Sequence, residues 1–86
     1  MYKLFTVFDT VAGRAGPPFQ FETIGEAERY FLDGLKNAQQ GSLWASHPES
    51  FDLYCIGDYD NKTMRLTFTE PMLIIKGPSN SAEASA

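Results

Sequence analysis

Lys3, Arg14, Tyr54, Lys62 and Arg65 are the side chains whose types could do chemistry together. Cations beside aromatic rings hold phosphates while the rings stack bases, the combination used by proteins that bind single-stranded nucleic acid. Arg65 alternates with Met64, Leu66 and Phe68, and Tyr54 alternates with Leu53 and Cys55. In strands, that alternation turns each polar side chain away from its apolar neighbours. If a helix covers the face bearing Leu53, Cys55, Leu66 and Phe68, the other face presents Tyr54, Arg65 and Thr67, with Lys3 and Phe5 beside them. Arg14 projects from a glycine-bounded loop, and Lys62 stands at a turn as an outlying phosphate contact. A subunit interface would suit the same face, because tyrosine and arginine are enriched there too. The pattern leaves both open.

Other chemistries find no constellation. His47 is the single histidine, and its neighbour Ser46 is close in sequence without any implied geometry. His47-Pro48 reads as turn punctuation. One histidine and one cysteine, Cys55, do not supply a metal site at any recognised spacing. Asp58, Asp60 and Asn61 resemble part of a calcium loop but lack its glycine and terminal glutamate. Gly13-Arg14-Ala15-Gly16 lacks the lysine and the following helix of a phosphate-binding loop. The carboxylates Glu26, Glu28, Asp33, Glu49 and Asp52 form no convincing pair and read as a solvated face. The sequence therefore predicts a binding protein with no enzymatic activity and no cofactor.

These side chains need elements to hold them. Tyr2 to Asp9 alternates with apolar groups on both faces, which predicts a central strand covered on two sides. Thr10 to Pro18 contains Gly13, Gly16, Pro17 and Pro18 and reads as a loop. Phe19 to Glu22 is a short edge strand or an extended arm. Thr23 then caps a helix, with Glu26 completing a capping box. Ile24, Ala27, Phe31, Leu35 and Ala38 form one apolar stripe along it. Gln39-Gln40-Gly41 ends it, with Gly41 as a left-handed cap. Ser42 to His47 forms one further helical turn, stopped by Pro48.

Phe51 to Tyr59 alternates over its whole length, Asp60-Asn61-Lys62-Thr63 supplies turn residues, and Met64 to Thr69 returns as a second strand. Beyond Glu70-Pro71, Met72 to Ile75 is a last strand or a packing arm. The expected fold is α+β, one helix packed on a small, mostly antiparallel β-sheet over residues 1–77. Residues 78–86, from Pro78 to Ala86, are small and polar and read as a disordered tail.

Size and charge narrow the class further. A chain of 86 residues buries a modest share of its surface, and with neither disulfide nor metal in prospect a homodimer or larger oligomer is expected. The lone cysteine fits a reducing compartment and a small buried hydrophobe. No apolar run reaches membrane-spanning length, and Met1-Tyr2-Lys3-Leu4 does not open a signal peptide. A cytoplasmic protein with no membrane partner is expected. The net charge of −4 argues against a general polyanion binder, whereas an aromatic content of 14% leaves rings to spare for stacking.

Gly16-Pro17-Pro18-Phe19 and the run His47-Pro48-Glu49-Ser50-Phe51-Asp52-Leu53-Tyr54-Cys55-Ile56-Gly57 resemble the small nonstructural protein of gokushovirus-like microviruses, icosahedral phages with single-stranded DNA genomes. The resemblance implies a part in genome replication, at the step that makes single-stranded progeny, and DNA binding in the host cytoplasm. It makes single-stranded DNA, further copies of the chain, and phage or host replication proteins the expected partners. The competing expectation is a homo-oligomeric adaptor that recruits a replication or assembly protein without touching DNA. An exposed patch of Trp44, Met72 and Ile74 would mark it.

Overall fold

Strands β1 (Tyr2–Asp9) and β4 (Phe51–Asp60) lie side by side at the centre of one sheet, and the rest of the chain is arranged around them. The computed structural model describes residues 1–78. The expected tail therefore lies, apart from Pro78, outside the described residues. On its other edge β1 is flanked by two short strands, β2 (Arg14–Ala15) and β3 (Phe19–Phe21). Beyond β4 lies β5 (Arg65–Lys76), and every pairing is antiparallel. One main helix, α1 (Ile24–Lys36), packs on this sheet, as an α+β fold requires. A short helix α2 (Leu43–Ser46) and a 3₁₀ turn at Pro48–Ser50 lead into β4.

The helix starts where its cap residue says it should. Thr23 has extended backbone angles, and its hydroxyl accepts from the Glu26 amide at 3.2 Å. The same hydroxyl donates to the Glu26 carboxylate at 3.0 Å. From there the stripe buries Ala27, Phe31 and Leu35 against Phe5 and Val7 of β1 and Phe51, Leu53 and Cys55 of β4. Phe5, Phe31 and Leu53 are wholly buried, each contributing about 1.5–3 kcal/mol. The helix stops at Lys36, ahead of Gln39, with Asn37 as its cap. Gly41 does take a left-handed backbone, but Ser42 beside it already caps α2. α2 turns Trp44 back onto α1, at a point where a Cβ on Gly34 would sit 3.2 Å from the indole. The missing side chain makes room for that ring.

Four sequence expectations are corrected. The segment Thr10–Pro18 is not all loop: Arg14 and Ala15 pair with Asp9 and Phe8. β5 does not break at Glu70-Pro71 but runs on for twelve residues. Pro71 is tolerated because it lies at a bulge on a strand whose far edge is unpaired among the described residues, so no ladder bond needs its missing amide. Met64, expected to open the second strand, is instead the left-handed residue of the hairpin tip, and β5 starts at Arg65. Finally, the helix covers one face of β1 only; no helix among the described residues lies over the second face, where Thr6 and Asp52 are nonetheless buried and Phe8 and Tyr54 half-buried.

The tip is held by Asp60. Its carboxylate accepts from the Lys62 amide at 2.9 Å, and its carbonyl accepts from the Met64 amide at 2.7 Å. The bond from the Lys62 amide is the main reason the Asp60 carboxyl is held below its ordinary value of 3.8. A lowered value in the fold means the charged form supports the turn. That support is complete above the ordinary value and is lost as pH falls through the lowered one. The Lys62 amide resonance is expected to titrate with a midpoint below the ordinary aspartate value and to be flat in Asp60→Asn. A midpoint at or above the ordinary value would contradict this account.

Candidate nucleic-acid interface

Strand register decides which side chains share a surface, because residues opposite one another in an antiparallel pair point to the same face. Thr6 lies opposite Tyr54, Phe8 opposite Asp52, and Tyr2 opposite Tyr59. All stand on the face that the helix leaves bare. The Phe8 and Tyr54 rings meet edge to face at 6.1 Å and 76°. With Thr6, Gly16, Pro18 and Ile56 they line an open hollow of about 450 Å³. Further along the same face come Leu4, Gly57, Leu66 and Phe68, with Phe68 71% exposed. The grouping of Tyr2, Leu4, Thr6 and Phe8 follows from plain alternation in β1.

Alternation fails in β4. Cys55 is paired with Phe5 on the helix side, yet Gly57 is paired with Leu4 on the bare side. Ile56 is one residue too many between them, a β-bulge that shifts the phase of everything after it. The expected face therefore splits. Leu53 and Cys55 face the helix as anticipated, but Leu66 and Phe68 lie on the opposite side, together with Tyr54. Arg65 and Thr67 go to the helix side with Asp60 and Asp58. An isolated glycine within a strand is a known sign of a bulge, and Gly57 was the available signal.

The predicted residues consequently do not converge. Tyr54, half-buried, is on the bare face. Lys3 is on the helix side, its Nζ 3.8 Å from the Asp58 carboxylate. Arg65 stands opposite Asp60, also on the helix side. Arg14 is exposed on β2 opposite Asp9, and Lys62 is at the hairpin tip. Lys76, not singled out from sequence, stands opposite Asp52 at the end of the bare face. Each of the four strand cations thus has a carboxylate across the ladder, so the sheet offers little net positive potential. Its chemistry is that of aromatic and apolar stacking.

A second hollow, of about 550 Å³, opens on the helix side between the Arg14–Phe19 segment and the helices. Arg14 and Asp9 stand in it with Phe19, Tyr30 and Trp44. Phe19 and Tyr30 lie 5.2 Å apart, and Phe19 also stacks on Phe5 at 6.1 Å. Phe19 and Trp44 pack on the core, whereas Tyr30 remains 54% exposed beside them. Trp44 and Ile74 are half-buried against that core as well, so the patch of Trp44, Met72 and Ile74 is not assembled. β5 instead exposes Leu66, Phe68, Met72 and Leu73, while Val11, Leu43 and Met64 are exposed elsewhere.

His47 is exposed, its Nδ1 3.4 Å from the Glu49 carboxylate. Cys55 is buried with a free thiol. Among the described residues, no group of three potential metal ligands comes together, and no helix is long and apolar enough to cross a membrane.

Fold and surface define a one-helix α+β protein whose antiparallel sheet is covered on one face and aromatic on the other. The family model of the Phage ORF5 protein matches residues 2–80, and the chain belongs to that family of phage proteins. Neither a curated protein nor a solved structure matches it.

Proposed function

We propose that this phage protein is the nonstructural, replication-associated protein of a gokushovirus-like microvirus and that it binds single-stranded DNA on the bare sheet face. One observation carries the proposal: the two central strands place Tyr2, Phe8, Tyr54 and Tyr59 on a face that no helix covers. Central-strand rings on an open antiparallel sheet are the platform on which single-stranded bases stack. The motifs shared with the microvirus proteins supply the reason to expect DNA, and the host cytoplasm is where such a protein would work. Stacking supplies the affinity, and phosphate contacts add little, because the strand cations face carboxylates.

This reading is tested by fluorescence anisotropy with a labelled oligonucleotide across a salt series. A stacked base contributes about 1–3 kcal/mol, so Tyr54→Ala weakens binding about tenfold. With one or two phosphates neutralised, the log–log salt slope is shallower than about −2. Absence of binding at low salt by the folded protein would defeat the proposal. The adaptor reading, favoured by the exposed apolar groups of β5, would then take its place.

A further inference from the structure

The outer edge of β5 pairs with nothing among the described residues, and nine consecutive residues from Arg65 to Leu73 are exposed. A long bare edge is a template for another strand, and proteins usually blunt it with lysines, prolines or a covering loop. Here the stretch Leu66-Thr67-Phe68-Thr69 carries no charge and no proline, and Thr67, Phe68 and Thr69 are residue types that favour strands. Leu66 and Phe68 on it are 52% and 71% exposed. Pro71, without an amide hydrogen, limits the usable edge to the part before it.

We propose that this edge binds a second copy of the chain, antiparallel about a two-fold axis at Thr67. The segment is complementary to itself in that register. Leu66 meets Phe68 of the second copy, Phe68 meets its Leu66, and the two Thr67 residues face each other. Both apolar residues lie on the bare face, so both apolar pairs close on one side of the joined sheet. Arg65 falls opposite Thr69 of the second copy, one residue from its Glu70, so the ends of the junction carry opposite charges. A two-fold axis perpendicular to the sheet keeps the two bare faces on the same side. The dimer then has one continuous aromatic surface, with both main helices behind it.

The proposal stands apart from DNA binding, since it rests on the strand edge. A junction this short lies at the low end of interface size, among weak associations, and a dissociation constant on the order of micromolar is expected. Sedimentation over a concentration series is expected to show a monomer–dimer equilibrium in that range. The double substitution Leu66→Lys, Phe68→Lys places like charges across the axis and is expected to weaken it at least about tenfold. Both side chains are exposed, so thermal melting of the variant as a monomer should match the wild type. Thr67→Cys should be joined by a short bis-maleimide linker at concentrations where the dimer forms. Asn61→Cys, far from the axis at the hairpin tip, should not, nor should the wild type with its buried Cys55. A compact monomer at ten times that concentration would overturn the proposal. So would a dimer indifferent to the lysines, or one linked through Asn61→Cys and not through Thr67→Cys.

Discussion

Phe31→Ala is expected to leave much of the protein unfolded at physiological temperature. Phe31 is wholly buried at the middle of the helix stripe, between Ala27 and Leu35. Its ring meets Trp44 edge to face at 6.3 Å and 69°, so it also ties α2 to α1. Truncating a buried phenylalanine costs about 3–5 kcal/mol, because the cavity adds to the lost transfer energy. A domain of this size has a total stability of about 4–13 kcal/mol and, with a small core, belongs near the bottom of that range. Urea denaturation followed by Trp44 fluorescence measures the loss directly. A loss below about 1.5 kcal/mol would mean that the core is not centred on Phe31.

Gly57→Ala is expected to have the second largest effect, and a different kind of effect. A Cβ on Gly57 would collide with the Thr67 carbonyl and come within 3.2 Å of the Phe68 Cα. Both obstacles are main chain, which cannot rotate out of the way as a side chain can. Overpacking of this kind costs about 1–3 kcal/mol. The strain should be relieved by opening the outer half of the β4–β5 hairpin, which lies beyond the helix. Amide exchange is expected to accelerate at Arg65 to Phe68 and to stay slow at Leu53 and Phe5. Uniform acceleration across the sheet would show that the hairpin does not open separately from the core.

Much of the fold is legible in the residues. Thr23 and Glu26 announce the start of the helix, the 3.6-residue stripe names its buried face, and the alternation in Tyr2–Asp9 gives β1 its limits. What escapes is what tertiary context decides. The end of α1 is set at Lys36 because the chain must turn Trp44 back onto Gly34, a contact with no local signature. β2 is two residues of pairing made possible by where the Asp9–Gly13 turn returns the chain. Pro71 looks like a strand terminator until β5 is known to be an edge. The candidate site was half legible for a related reason. Tyr54 was placed correctly against Leu53 and Cys55, but the bulge at Ile56 carried Arg65 to the other side of the sheet. The two-sided apolar pattern of β1 predicted two covers, and the described chain provides one.

The same bulge makes Ile56 an addition that the pairing of β1 with β4 does not require. A conservative exchange at Ile56 changes one contact in the hollow beside Tyr54. Loss of the single codon would set Gly57 directly after Cys55, still opposite Leu4, and so restore simple alternation while leaving Leu66 and Phe68 on the bare face. A lineage carrying this fold can therefore drift in sequence at that position, or shed the residue, with the two faces of the hairpin kept as they are. The aromatic surface rests on the pairing of Leu4 with Gly57 and of Tyr2 with Tyr59, which the bulge interrupts but does not create.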